Sequence, residues 1–468
     1  MPVIVVRGDA RHLPLPDASV DLIVTSPPYF WLRSYRDAGQ HYGTQIGLEA
    51  TPRQYVAALL DCTREWMRVL KPEGNLFVNL GDKYSQYEGT RKGHGRNLAS
   101  PARSGRGEPL ALPVNAPGLT GIPVKSLNGL PWRYALGCTD ELGLILRRDI
   151  IFSKLNGMPE SQTDRARSTH EYMFHLVKQP RYYTAVDEIR EPHQPQSLAR
   201  ATRNRFAPDR SQDGVGVPNT LDPAASCHSL GRLPGSVWDI ATQPLISPEC
   251  RLVWGGRTVR WFATWEEGRR HMRTLARDVD GFGAWGRPSL RPEDAHYAAF
   301  PCALVRPVIL GWSPRGICTA CDQGRRPVTD TRYVPQGDHD PRAGREKYGR
   351  MEQGSGDLLM GRFKPQEMTH GRADAYVTIT EHACDCPDTT APARPAVVVD
   401  PFGGTGTTAL VAAAYGRTGI TVDRSHSYSR LARWRTTDPG ERAKAMLVRK
   451  PPPAPDHHQG TLFDMESI

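Results

Sequence analysis

What this chain has least of is uninterrupted apolar sequence. No stretch of about 18 apolar residues occurs, so no segment reads as a membrane-spanning helix. The first residues, Met1 to Arg7, read as a short strand rather than a charged start leading to an apolar middle and a cleavage site. No signal peptide is expected there, and the cytoplasm is the default compartment. Cysteine is scarce as well. Nine in 468 residues, an odd number, do not make the disulfide framework of a secreted protein. Apolar residues reach only 38%, against 41 prolines and 44 glycines, so long irregular segments are expected between compact parts. An excess of acid is also missing: the net charge of +10 suits a polyanionic partner without requiring one. At this length two or three domains and a full core are available.

What is present is organised around Thr25-Ser26-Pro27-Pro28-Tyr29, at the end of the apolar run Val20–Val24. That run is short, β-branched and bounded by polar residues, the pattern of a buried parallel strand. Two prolines stop the ladder and stiffen the backbone, so a hydroxyl, a carbonyl and an aromatic ring stand at the strand's carboxyl end. Open α/β sheets place their ligands there. Taken alone, the pentapeptide also fits an incidental loop with an exposed tyrosine.

Further strands are expected at Val3–Val6, ending at Gly8-Asp9, and at Asn75–Leu80, Leu146–Ser153, Val397–Asp400 and Gly419–Asp423. Asp9 reads equally as a ligand acceptor or a turn residue. Thr51-Pro-Arg-Gln is a capping-box helix start, and Tyr55, Leu59, Cys62, Trp66 and Val69 follow on one face. A second helix is expected over Trp132–Leu144, and a third over Ala409–Tyr415, closed by Gly416. Phe30, Trp31, Arg33, Tyr35 and Arg36 mix aromatic and basic side chains suited to stacking and phosphate contact.

The second constellation is Asp400-Pro401-Phe402-Gly403-Gly404-Thr405-Gly406-Thr407, between a β-branched strand and an Ala-rich helix. Glycines let a ligand approach the backbone, and a helix start offers free N–H groups to an anion such as a carboxylate. Asp423 ends the next strand, where an acidic side chain takes a ribose hydroxyl pair.

Together these segments resemble the β-class amino-methylating DNA methyltransferases. TSPPY resembles their catalytic motif and DPFGGTGTT their S-adenosylmethionine motif, in the order catalytic, target-recognising, cofactor-binding. GDARHLPLPDASVDLIVTSPPY, RVLKPEGNLFVNLGD, IIFSKLNGMPES with HEYMFHLVK, and HYAAFP add to the match. The resemblance implies a Rossmann-like α/β fold, a mixed and mostly parallel sheet with helices on both faces. It implies methyl transfer from S-adenosylmethionine to the exocyclic amine of a base flipped out of double-stranded DNA. Ser26, Pro27, Pro28 and Tyr29 would be catalytic. Asp9, Phe300, Pro301, Asp400, Pro401, Phe402, Gly403, Gly404, Gly406, Thr407 and Asp423 would bind the cofactor. Ser before Pro-Pro-Tyr resembles the cytosine-N4 branch, the adenine-N6 branch usually carrying Asp, so cytosine N4 is the expected target and adenine N6 the alternative. A restriction endonuclease partner is left open, and methylation of protein or RNA amines fits less well with the basic middle region.

The expected layout is a catalytic half at 1–190 containing a mobile basic loop at 89–118, a target-recognition region at 191–295 and a return to the core at 296–317. A cysteine-containing insert at 318–386, a cofactor-binding half at 387–436 and a flexible tail at 437–468 complete it. In the insert, Cys318-x-x-Cys321 and Cys384-x-Cys386 could hold a structural zinc, with 62 residues between the pairs and His382 as a substitute ligand. Reduced cysteines in a loop are the plain alternative. Gln459–Phe463 resembles a sliding-clamp-binding peptide. The reading from another class is a zinc-containing DNA-binding protein without activity.

Overall fold

The structure, a computed structural model, describes residues 2–32, 36–37, 40–41, 44–85, 121–157, 159–160, 162–197, 228, 230–243, 245–246, 250–254, 257–262, 265–278, 289–292, 295–296, 301–335, 368–370, 373–388 and 390–448. The expected loop at 89–118, Arg33, Tyr35, Phe300 and the Gln459–Phe463 peptide lie outside them. The chain divides into two compact units.

The first unit draws on Met1–Tyr182, Val237–Ile309 and Val397–Ile468. Its main sheet is built from β1 (Val3–Arg7), β2 (Val20–Thr25), β3 (Leu70–Leu80), β4 (Ile145–Lys154), β5 (His170–Val177), β6 (Val237–Ile240), β7 (Val397–Asp400) and β8 (Thr418–Asp423). They form one sheet in the order β1-β8-β7-β2-β3-β5-β4-β6. Every neighbour pair is parallel except the two made by β5, so the sheet is mixed and mostly parallel, as expected.

All six residues of β2 are buried. Among them Asp21 is the charged one, and its carboxylate accepts from Lys71 Nζ at 2.8 Å and from the Val397 N–H at 2.8 Å. It therefore joins β2 to the strands on both sides. α1 (Pro52–Val69) starts on the expected capping box, Thr51 with Gln54. It buries Tyr55, Leu59, Cys62, Trp66 and Val69 in one cluster with α2 (Leu130–Asp140) and with alternate residues of the sheet, such as Leu76, Val78, Ile420 and Val422.

On β8 the residues between those, Gly419 and Thr421, have the opposite orientation. There α4 (Thr407–Ala414) comes so close that a Cβ on Gly419 would stand 2.4 Å from the Ala409 carbonyl oxygen. Helices thus cover both faces. α3 (Cys302–Trp312) begins after Pro301, and α5 (His426–Thr437) and α6 (Pro439–Ala445) follow β8.

Three element boundaries differ from expectation by more than two residues. β3 begins at Leu70, directly after α1, because Leu70 pairs with Val20 and a register shift absorbs Lys71–Gly74. α2 ends before Leu144, where Gly143 turns at φ +67°. The tail expected from 437 onward is helical over Pro439–Ala445. Asp438 caps that helix through the Glu441 N–H, and buried Glu441 holds Arg435 Nε at 3.0 Å.

The second unit draws on Tyr183–Ser236 and Leu310–Ala396. It contains a ribbon of Arg326–Pro335 against Ala373–Ala383, a third short strand Met368–His370, and a short antiparallel pairing of Ile317–Cys318 with Ala393–Arg394 that brackets them in sequence. The expected region 191–295 is consequently divided. Glu191 bridges to Arg232 in the second unit, while Val237–Ile240 completes the main sheet and Cys250–Trp254 centres a small antiparallel sheet in the first. No helix among the described residues is long and apolar enough to cross a membrane.

Burial decides which ion pair matters. Asp21→Ala strands Lys71, itself largely buried, and should lower stability by about 3–5 kcal/mol. Asp61→Ala removes the exposed pair with Arg64 and should cost less than about 1 kcal/mol. Urea unfolding of the two variants checks the contrast.

Candidate active site

The two motifs meet through one buried carboxylate. Asp400, at the end of β7, is 5% exposed. Its Oδ1 accepts from Thr25 Oγ1 at 2.7 Å and from the Phe402 N–H at 3.1 Å, and its Oδ2 from Thr408 Oγ1 at 2.9 Å. Burial pushes its pKa up to about 6, against the pull of those donors. The last residue of β2, the last residue of β7 and the first turn of α4 are thereby tied at one point. Three of about four acceptor positions on this carboxylate are used within the protein.

From Thr25 the chain passes into Ser26-Pro27-Pro28-Tyr29. The Pro28 carbonyl accepts from Tyr55 Oη of α1 at 2.9 Å. Among the described residues no donor meets the Pro27 carbonyl. Gly81, just past β3, lies against the Tyr29 ring, where a Cβ would come within 2.8 Å of a ring carbon. Tyr29 Oη donates to Glu171 Oε2 at 2.7 Å and receives Asn79 Nδ2 at 2.8 Å and Ser26 Oγ at 3.4 Å. Asn79 Nδ2 also reaches Glu171 Oε2 at 2.7 Å, and Lys154 Nζ pairs with the other oxygen of Glu171. Burial, then the Glu171 charge, raise the Tyr29 pKa well above the usual phenol range, so it stays protonated. Asn79 Oδ1 is buried without a partner among the described residues.

The chain after Tyr29 is held as well. Trp31 donates its N–H to Gly47 O at 2.7 Å and its indole N–H to Glu49 O at 2.6 Å. Lys83 Nζ caps the Trp31 carbonyl at 2.6 Å, and burial lowers its pKa to about 8.

The glycine turn is built by exclusion. A Cβ on Gly403 would lie 1.6 Å from Thr421 Oγ1, and Gly404 and Gly406 take φ of +48° and +76°. Gly406 caps α4 without a side-chain hydrogen bond, and the buried Thr421 hydroxyl has no partner among the described residues. Arg435, buried, braces the turn from α5 through the Thr405 and Thr407 hydroxyls. Pro401 is buried, and Phe402 packs edge-on against Trp66.

Asp423 receives the Gly404 N–H at 2.9 Å and the Ser425 N–H at 2.8 Å. Asp9 joins this end of the sheet, since Gly8 donates to the Asp423 carbonyl at 3.1 Å. Its carboxylate is clamped by Arg11 at 2.7 Å, with Arg424 at 3.6 Å, and the Arg11 hydrogen bond holds its pKa below the usual range. Of the expected residues by α3, Pro301 is buried and accepts the Leu304 N–H at 3.0 Å.

In the second unit the four expected cysteines converge, their sulfurs all within 4.8 Å of one another. The backbone N–H groups of Cys321 and Ala320 lower the Cys318 pKa to about 6. His382 is elsewhere: its Nε2 holds Glu188 Oε1 at 2.6 Å.

Sequence reading assigned no role to Glu171, Asn79, Lys154, Thr25, Thr408 or Arg435. A signal was present for two of them. Asn79 interrupts the apolar run of β3 and Glu171 opens an aromatic strand, and polar residues at such positions stay only when paired.

The DNA methylase family matches residues 20–318. The Type II methyltransferase M.Cfr9I of Citrobacter freundii is 39% identical over 187 residues, 40% of this chain and 57% of the relative. M.SmaI of Serratia marcescens, also a Type II methyltransferase, is 37% identical over 190 residues, 40% and 60% of the two chains. The chain thus spans less than two thirds of the length of these relatives. A solved PvuII DNA methyltransferase, described as cytosine-N4-specific, aligns over 96% of this chain and 91% of its own at 14% identity and a TM-score of 0.44.

The Thr25 hydroxyl serves the ionised form of Asp400. An acid whose folded pKa stands at about 6 rather than its ordinary 3.8 loses stability as pH rises through that window, because the native state binds the proton more tightly. Thr25→Val widens the window upward. Its destabilisation should reach about 1.5–3 kcal/mol at about pH 7.5 and be clearly smaller at about pH 4.5, by urea unfolding at each pH.

Proposed function

The chain belongs to the DNA methylase family, and from that premise we propose that it is a site-specific DNA methyltransferase acting on the exocyclic amine of cytosine, at N4. The observation that carries the reading is the Thr25–Asp400 hydrogen bond, which sets the Ser26–Tyr29 turn beside the glycine turn at adjoining strand ends. A methyl donor and a methyl acceptor must lie side by side for direct transfer, and this junction makes that possible.

S-adenosylmethionine supplies, when bound, a methyl group made electrophilic by its sulfonium. The glycine turn fits such a ligand on structural grounds. It excludes side chains at Gly403, keeps the start of α4 free of a side-chain cap, and leaves the Thr421 hydroxyl beneath it unpartnered among the described residues. Thr407, opening α4, would offer its backbone N–H to the carboxylate end, while Gly404 and Gly406, whose N–H groups are held by Asp423 and the Gly403 carbonyl, shape the turn around it. Asp423, at the end of β8, would take the ribose. Asp400 contributes by holding the turn in shape, and Asp9 by closing the same sheet end with Arg11.

The exocyclic amine of a base is a weak nucleophile because its lone pair is drawn into the ring. Acceptors held against its hydrogens favour the pyramidal form that attacks. The Pro27 carbonyl and Ser26 hydroxyl fill that role, and the two prolines with Tyr55 keep them still. Tyr29, backed by Gly81 and pinned by Glu171 and Asn79, presents its ring to a base flipped from the duplex. The amine nitrogen, so held, would take the methyl as the carbon–sulfur bond breaks with its electron pair left on sulfur, and would lose one proton to water. Target choice falls to the part of 191–295 that follows the main-sheet strand Val237–Ile240, where the helix Trp265–Asp278 exposes Arg269, Arg270 and Arg273 to a phosphate backbone. The Type II names of the relatives support a restriction endonuclease as counterpart.

DNA from cells expressing the chain, sequenced with modification-sensitive detection, should carry N4-methylcytosine at one recurring site. N6-methyladenine there would replace the base assignment, and unmodified DNA would overturn the reading. In vitro, Pro27→Ala and Tyr29→Ala should each lower methyl transfer by about 100-fold. Calorimetric affinity for S-adenosylmethionine should stay within about threefold of the parent.

A further inference from the structure

We infer that Cys318, Cys321, Cys384 and Cys386 hold one zinc ion as a closed four-thiolate centre that clasps the base of the ribbon in the second unit. The four sulfurs lie within 4.8 Å of one another, and Cys321 and Cys384 stand 3.7 Å apart. A tetrahedron of sulfurs about 2.3 Å from a zinc has edges of about 3.8 Å. A disulfide needs its sulfurs at about 2.0 Å, so the four are not paired covalently.

The 62-residue gap between the two pairs is an excursion. Arg326–Pro335 leaves the cluster and Ala373–Ala383 returns to it, with Arg326 registered opposite Ala383. That pairing sets Cys384 and Cys386 beside the turn that bears Cys318 and Cys321. The turn is itself tight: Cys318 donates its N–H to Gln323 O at 2.9 Å and receives the Asp322 N–H at 2.9 Å, and Asp322 adopts φ +57°.

The ligand set selects the ion. Four sulfurs, with no carboxylate or imidazole in the cluster among the described residues, disfavour calcium and magnesium and suit zinc. All four positions are protein atoms, so no site is left for water or substrate, and the centre is structural. His382 is engaged by Glu188 and stays out. The second unit needs such a clasp. Its described apolar core is thin, comprising Ile317, Cys318, Tyr183, Ala185, Val377, Ala391 and Ala396, and small cores are commonly completed by a metal or a cross-link.

The test is metal analysis of the full chain purified under reducing conditions. Plasma mass spectrometry should find about one zinc per chain. Cys384→Ser and Cys386→Ser should each bring this to less than about a tenth, while Cys250→Ser keeps it. Replacement by cobalt should give the thiolate-to-cobalt charge-transfer band and the intense visible bands of a tetrahedral site. If the serine variants fail to fold, the zinc content and cobalt spectrum of the parent decide alone. A parent with four titratable free thiols and no zinc, with two disulfides, or with iron and acid-labile sulfide would overturn the inference.

Discussion

A single carboxylate holds the arrangement together. Asp400 accepts from a hydroxyl 375 residues earlier in the chain, from the helix that follows it and from its own turn. Burying an anion is unfavourable unless its lone pairs are met, and here three donors meet them. The glycine turn and the Pro-Pro turn are therefore coupled: a change that moves Thr25 or Thr408 disturbs both. The raised pKa of Asp400 shows that compensation is incomplete, so the junction depends on each donor.

Around it the sheet end is assembled from pairs of the same type. Asp423 ties the Gly404 and Ser425 N–H groups, Arg435 ties Thr405 and Thr407 to Glu441, and Glu171 ties Tyr29, Asn79 and Lys154. Arg435 is buried and Asp423 and Glu171 are half-buried, each with a partner from another element, which gives geometric definition more than net stability. A methyl transfer by direct displacement needs that definition, since the reacting atoms must be in line and close.

Much of this was legible in local sequence. The capping box at Thr51, the apolar stripe from Tyr55 to Val69, the buried strand Val20–Val24 and the strand–glycine turn–helix at Val397–Ala414 stand where periodicity and turn chemistry put them. Misplaced boundaries fell where tertiary contacts outweighed local signals. Pro72 and Gly74 look like a loop, yet the ladder with β2 carries the strand back to Leu70. The Pro-rich tail looks loose, yet Arg435 draws Glu441 into the core. Asp9, which local sequence leaves equally as a ligand acceptor or a turn residue, pairs with Arg11 two residues on.

The sequence by itself determined the elements and the chemistry available at their ends: a stiff Ser-Pro-Pro-Tyr turn, a glycine turn after an aspartate, two cysteine pairs. These follow from short-range sterics and hydrogen bonding, which a few consecutive residues specify. Tertiary structure decided which of these ends adjoin. Strand order set β2 beside β7 and so gave Thr25 its partner, and ribbon register brought cysteines 63 positions apart to 3.7 Å. It also recruited Glu171, Asn79 and Arg435. Their positions depend on long-range pairing, for which no local run of residues carries the information.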